Sequence, residues 1–416
     1  MSAWSRTSMD VSSRTAGIIS ALETRASFMP GVPQASRDGL LDLYEALARA
    51  FARLQSLRRR GGLDAVFEPV RQEKRSRSRY HGLSERWVPE EISRHIETHV
   101  TRVLSYTAAV DGRTVVIEFG MTEDQLDSLE EYDGHVDFIL LWLMVCGEYA
   151  PKTCAGKLTI RLFLTPFTKT VPRNKAAILG PDSVNTGYAT RCAPSGEIVI
   201  FREEEWRKVF IHETFHAYGL DFAPQPTDLT QRMACLFHVR SSYRVAEAYT
   251  EAWARICNSA VVAYASASRP PTKDEYLQNV VFNLGVERMF SCIQCQKVLE
   301  HMGLSYQSLI GGTLADEMLR ENLYRENTSV LAYYVITACL IADYPGFIAW
   351  CRRNNTSLLR FRATKAAFAS FGTLIESSAL SREFERLMRE MEGVDWKDGQ
   401  ESLVMSAVEG SADREN

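Results

Sequence analysis

His212-Glu213-Thr214-Phe215-His216 places two imidazoles and a carboxylate in the order H-E-x-x-H. On an α-helix, four residues correspond to a rotation of about 400°, so the two histidines share one face a turn apart and both can reach one ion. Glu213 is offset by about 100° from His212, where it can take a proton from water held by that ion. With eight histidines in 416 residues, the pattern arises by chance in about one chain in a hundred of this composition. The bland alternative is a pair of satisfied helix-face histidines with no ion, and the flanking residues decide against it.

Before the motif, Ser195-Gly196 is a turn signal, and Glu197-Ile198-Val199-Ile200-Phe201 reads as a strand. Glu203, Glu204 and Glu205 then fit the first turn of a helix, where the macrodipole favours negative charge. Trp206, Val209, Phe210 and Phe215 supply its apolar positions, and Gly219 can end it with a positive φ. Strand, helix and stop together present the motif to a cleft.

A catalytic zinc site of this kind has three protein ligands and an open position, so a third ligand is needed. The segment Val245 to Ile256 reads as a helix carrying Glu247 and Glu251 one turn apart. One could bind while the other accepts an N–H from a ligating histidine. Ala248, Ala252 and Ala254 interleaved with Tyr249 and Trp253 speak against a solvated face. Asp221 is a local candidate: His216-x-x-Gly219 follows the metzincin spacing, but Phe222 stands where the third histidine belongs and Asp221 lies one residue early. His238 has no supporting pattern and reads as a satisfied core histidine.

Glu247-x-x-x-Glu251-Ala252-Trp253 after H-E-x-x-H resembles the gluzincins, most closely the catalytic domain of the anthrax lethal factor type. That resemblance implies Glu247 as ligand and Glu251 behind it. The reverse assignment also stands, because Glu251-Ala252-Trp253-Ala254 is similar to the E-G-x-A segment of gluzincin aminopeptidases. A wider likeness runs from Asn185-Thr186-Gly187-Tyr188 through the motif to Glu287-Arg288-Met289-Phe290, Met302-Gly303-Leu304-Ser305-Tyr306 and Asn322-Leu323-Tyr324. Those blocks resemble zincin-like proteins encoded by giant DNA viruses, a likeness that covers roughly residues 135 to 360 and supports the site without naming a substrate.

The expected function is zinc-dependent hydrolysis of peptide bonds, with Zn2+ on His212, His216 and Glu247, and Glu213 as general base. Tyr243 and Tyr249, near the third ligand, are the candidate oxyanion donors. An extended peptide or protein substrate would pair with the edge formed by Asn185 to Thr190, with Gly187 allowing close backbone approach. Two alternatives remain: a zincin-fold virion or host-interaction protein without catalysis, and zinc hydrolysis of a non-peptide amide.

The elements that must position these residues give an α+β fold. A small mixed sheet, with Thr114 to Phe119, Leu158 to Leu164 and Ile198 to Phe201 as strands, packs on the H-E-x-x-H helix. A mainly helical C-terminal lobe follows. The expected segments are 1–36 disordered, 37–85 an N-terminal helix and basic linker, 86–222 the zincin subdomain, 223–396 the helical lobe with the third ligand, and 397–416 a disordered acidic tail.

Hydrophobic residues make up 45% of the chain, enough for a large core, and the net charge of -4 gives no general reason to expect nucleic acid. The basic run Arg71 to Arg79 reads as a solvated linker. The longest apolar run, Phe138 to Cys146, falls short of the ~20 residues that cross a bilayer and predicts a buried element. Nine scattered cysteines and no signal-peptide core point to a reducing intracellular setting (host cytoplasm or virion, on the viral likeness) without disulfides. Cys292-x-x-Cys295 reads as a helix face.

Overall fold

Leu40, Leu43, Leu47 and Leu54 recur at helical spacing, and they form the buried face of α1 (Gln34–Arg59). In the computed structural model, residues 30–69, 83–84, 86–123, 125, 129–266, 269–392 and 401–408 are described. The expected N-terminal disorder therefore concerns mostly residues outside that set, as does the basic run Arg71 to Arg79. The expected boundary at 36 is corrected: α1 begins at Gln34, and Ser36 is buried with its hydroxyl donating to the Pro345 carbonyl at 2.6 Å.

The strands are β1 (Asp64–Pro69), β2 (Arg102–Val110), β3 (Arg113–Met121), β4 (Lys157–Leu162), β5 (Gly187–Ala189) and β6 (Ser195–Ile200). They form one six-stranded sheet in the order β1-β2-β3-β4-β6-β5. β3, β4 and β6 run parallel to one another, while β1, β2 and the edge strand β5 are antiparallel to their neighbours. The central positions Ile117, Ile160 and Ile198 share one register across the sheet and are fully buried. β1 lies in the segment expected to be a helix and linker. Its short, charged sequence does not announce a strand, and its pairing with β2 is a long-range effect.

The helices are α2 (Glu90–His99), α3 (Leu129–Tyr149), α4 (Pro181–Val184), α5 (Trp206–Ala217), α6 (Thr227–Phe237), α7 (Val245–Ala265), α8 (Lys273–His301), α9 (Tyr306–Ile310) and α10 (Leu314–Leu323). A π-helical segment, Leu331–Ile336, leads into α11 (Thr337–Ala342), α12 (Tyr344–Asn354), α13 (Lys365–Ala379) and α14 (Arg382–Met391). The apolar run Phe138 to Cys146 lies within α3 and is buried, as expected. Among the described residues no single helix is long and apolar enough to cross a membrane. One continuous apolar core joins the sheet side to the helical side, from Leu40 through Ile160 and Phe210 to Met391.

Two expectations fail here. Cys154 and Cys192 form a disulfide with a Cα separation of 4.7 Å. Both residues sit in the loops that enter the adjacent parallel strands β4 and β6, so strand pairing brings together cysteines that are 38 residues apart in sequence. The disordered acidic tail expected over 397–416 is corrected for residues 401–408, where Leu403, Val404, Met405, Ser406 and Ala407 are buried against the body of the protein; 397–400 and 409–416 lie outside the described residues. Their side chains are apolar or small, and the acids that suggested disorder lie on either side of them.

Candidate metal centre

Every residue of α5 is buried, because the helix is packed against β5 and β6, α3 and α7. An all-buried helix is ordinarily apolar all round. Here it carries Lys208, His212, Glu213 and His216, each of which therefore needs a partner or a role. The three glutamates expected in the first turn precede the helix instead. Glu205 stands at the boundary with φ 51°, and its buried carboxylate is ion-paired with Lys169 and, at 3.2 Å, with Lys208.

At the other end the expected glycine stop holds. Gly219 has φ 62°, with its N–H donating to the His216 carbonyl at 3.2 Å and the Leu220 N–H donating to the Phe215 carbonyl at 2.9 Å. These two bonds make a Schellman closure, which reverses the chain directly under the second histidine. Asp221 can then reach back, and its Oδ2 lies 2.8 Å from His216 Nδ1. Asp221 thus does not bind beside the histidines as a ligand would; it supports one of them from behind. Phe222, at the position of a metzincin's third histidine, packs among Tyr249, Phe361 and Phe368.

α7 packs against α5 and provides both glutamates, and its Ala248 and Ala252 are fully buried. Glu251 Oε2 lies 2.9 Å from His212 Nδ1, while its Oε1 accepts from Lys208 at 2.9 Å and from Arg255 at 3.1 Å. Its two oxygens are therefore committed away from the space between the histidines. Glu247 points into that space, with Oε2 3.2 Å from His212 Nε2 and 3.0 Å from His216 Nε2.

His212 Nε2 and His216 Nε2 are themselves 3.2 Å apart. Each ring has a carboxylate on Nδ1, an arrangement that keeps the proton there and leaves a lone pair on Nε2. Two nitrogen lone pairs and a carboxylate oxygen thus converge on one point. Three such groups repel one another unless positive charge lies between them. Ligands at 2.0–2.1 Å from a tetrahedral ion are about 3.3 Å from one another, close to the three observed separations. His212, His216 and Glu247 form a buried group that could hold a metal ion.

Without an ion, protons on the two imidazoles supply the positive charge that holds the Glu247 carboxylate between the rings. Burial opposes the charge of Glu247, but His216 and His212 outweigh it and hold the carboxyl well below the usual carboxylate range. Burial likewise works against His216, and the carboxylates of Glu247 and Asp221 overcome it, pushing the imidazole up to about 10. Glu213 moves the opposite way: burial, reinforced by Glu247, raises its pKa above that of an ordinary glutamate. Glu213 lines a cleft together with His212, Glu251, Tyr333 and Gly187.

Arg191 was not singled out in the sequence, and it joins the two sides of the site. Its guanidinium donates to Asp221 at 2.6 Å and to Glu247 Oε1 at 3.0 Å, which leaves Glu247 Oε2 facing the histidines. The neighbouring Cys192 N–H donates to the His216 carbonyl at 3.0 Å, so the disulfide anchors this loop beside the helix end. No spacing rule points to an arginine that lies before the motif in a loop.

Both expected oxyanion tyrosines are elsewhere. The Tyr249 hydroxyl donates to the Leu359 carbonyl at 2.9 Å within the aromatic core, on the face of α7 turned away from the histidines. Tyr243 lies beside Glu326. The phenol at the site is Tyr333, whose hydroxyl donates to Glu247 Oε2 at 3.1 Å and whose ring lies 5.8 Å from that of His212. It comes from the π-helical segment, 86 residues beyond Glu247, and no local pattern connects the two. His238, expected in the core, is exposed and ends α6 with φ 50°. That conformation suits a helix end, and the apolar neighbours that suggested burial include the exposed Cys235.

No family model, curated protein or solved structure matches the chain.

Proposed function

We propose that the protein is a zinc-dependent peptidase of the gluzincin type, with His212, His216 and Glu247 as ligands and Glu213 as general base. The observation that carries this reading is the convergence of His212 Nε2, His216 Nε2 and Glu247 Oε2 within 3.2 Å of one another, with each histidine backed by a carboxylate. Two imidazoles and one carboxylate are the donor set of catalytic zinc in peptidases, which leaves a position open for water. When bound there, zinc would lower the pKa of a water towards 7 and polarise a carbonyl.

The chain's own groups supply the remaining chemistry. Glu213, next to a ligand and raised in pKa, accepts the proton of the attacking water and passes it to the leaving amine. Tyr333 takes the role of oxyanion donor, since its hydroxyl is at the ligand set and the residue lines the cleft. Asn185, Thr186 and Gly187 border the same cleft at the edge of the sheet. Strand alternation turns the backbone groups of Gly187 and Ala189 away from β6, towards an incoming extended peptide. A side chain at Gly187 would meet the Val199 carbonyl at 2.8 Å, so this glycine is needed for β5 to close on β6.

Glu213→Gln tests the assignment. It should keep the metal, because Glu213 is not a ligand, and lose peptide cleavage by a factor of 100 or more (about 10²–10⁴ for a general base). Cleavage that persists in Glu213→Gln would remove Glu213 from the chemistry. A metal-replete wild type that cleaves no peptide in a diverse library would favour a binding protein with a structural ion.

A further inference from the structure

The segment Glu401 to Val408 is held chiefly through its backbone. On one side it makes a short backbone ladder: the Val171 N–H donates to the Glu401 carbonyl at 2.7 Å and the Leu403 N–H to the Lys169 carbonyl at 3.0 Å. Beyond that, buried side chains of the body read its backbone atom by atom. Tyr334 donates to the Leu403 carbonyl at 2.7 Å, Gln294 to that of Val404, and Asn258 to that of Val408 at 2.7 Å. Glu205 Oε2 accepts from the N–H groups of Met405 and Ser406 at 2.6 and 3.2 Å. Glu287 Oε1 accepts from those of Ala407 and Val408 at 2.8 and 2.9 Å.

One oxygen of each of two carboxylates, Glu205 with its side chain 2% exposed and the fully buried Glu287, thus accepts from main-chain N–H groups of a segment that belongs to no helix or strand. Charge-assisted bonds of this kind are the stronger sort, and main-chain hydrogen bonds are a general means by which proteins hold a peptide.

The same groove reaches the metal centre. Glu205, which grips Met405 and Ser406, pairs through Oε1 with Lys208 at 3.2 Å. Lys208 pairs with Glu251 at 2.9 Å, and Glu251 lies 2.9 Å from His212 Nδ1. The side chains of this relay are buried along its whole length. Met405 also forms part of the wall of the cleft that contains Glu213.

We infer that this groove is a peptide-binding site, that Glu401 to Val408 is its ligand supplied in cis, and that occupancy of the groove strengthens metal binding at His212, His216 and Glu247. The coupling part rests on the zinc reading; the groove part does not.

The test removes the segment and returns it as a separate molecule. A chain ending at residue 400 is titrated with a fluorescent peptide of sequence Glu401 to Val408, with and without zinc, and its zinc affinity is measured by chelator competition. The expected results are saturable peptide binding, zinc affinity reduced at least tenfold by the truncation and restored by saturating peptide, and an equal factor by which zinc tightens the peptide, since coupling is reciprocal. A peptide carrying Met405→Pro and Ala407→Pro, which lacks two of the N–H donors, should not bind.

A folded truncated chain that ignores the peptide would overturn the groove. Equal zinc affinity with and without bound peptide would overturn the coupling. Peptide binding by a protein that takes up no zinc at all would support the groove and sink the zinc reading instead. Should the truncated chain not fold, a protease site replacing residues 394–399 allows the intact protein to be cut after folding. The released fragment should then stay bound until excess peptide exchanges it; immediate loss of the fragment without any change in zinc affinity would refute the proposal.

Discussion

Replacing Glu251 by glutamine should weaken metal binding at the proposed site although Glu251 does not face the space between the two histidines. Its Oε2 fixes His212 Nδ1 at 2.9 Å, and its Oε1 accepts from Lys208 and Arg255 at 2.9 and 3.1 Å. An amide cannot satisfy both sides. With its oxygen towards Lys208 and Arg255, its NH2 meets His212 Nδ1, which forces the ring proton onto Nε2, the atom needed for the ion. With the amide reversed, NH2 faces two buried cations. Loss of a carboxylate behind a ligating histidine costs about 10–100-fold in metal affinity, or about 1.4–2.7 kcal/mol. The metal-free fold should suffer as well, because a buried ion pair that loses one partner costs about 3–5 kcal/mol. Asp221→Asn offers the contrast: it backs His216 in the same way, but its cation Arg191 is partly exposed at 28%, so affinity should fall with a smaller loss of stability. Chelator competition and urea unfolding of both variants provide the measurements. Glu251→Gln with zinc affinity within threefold of wild type would refute the reasoning.

Tyr333→Phe should leave zinc content unchanged and lower kcat by about 10²–10³-fold, the cost of removing one oxyanion donor; an effect confined to KM would assign the hydroxyl to substrate binding. His135 is buried beside Trp206, with Nδ1 lacking a partner among the described residues, and burial, aided by Arg207, holds its pKa down to about 3. The unfolded chain protonates this histidine near 6.5 while the folded chain does not, so its contribution to stability is present above that pH and is lost as pH falls towards 3, in total on the order of 5 kcal/mol. His135→Phe should flatten this acid limb of urea stability, and an unchanged limb would count against a neutral buried imidazole. Alkylation of the denatured, unreduced protein should label the seven free cysteines and spare Cys154 and Cys192; labelling of all nine would remove the disulfide.

What the sequence made legible follows the range of the interactions. The helix over His212 to His216, its Gly219 stop and the glutamate helix are local patterns, and each is present in the fold. Choosing between Glu247 and Glu251 on spacing alone was not possible, since both lie on α7 one turn apart. The choice follows from Lys208 and Arg255 claiming Glu251, and Lys208 is on another helix. Tyr333 and Arg191 arrive from distant segments through tertiary packing, with no periodicity to mark them. The tail departs from its sequence pattern for a related reason. Its acids suggest a solvated end, whereas the partners that bury Leu403 to Val408 are Glu205, Glu287 and Asn258, all more than a hundred residues away.

Zinc content of the purified protein tests the central claim most directly. Wild type and Glu213→Gln should each carry one zinc per chain after dialysis against metal-free buffer, and Glu247→Gln should carry little or none. A wild type without stoichiometric zinc, or a Glu247→Gln protein that retains it in full, would contradict the account.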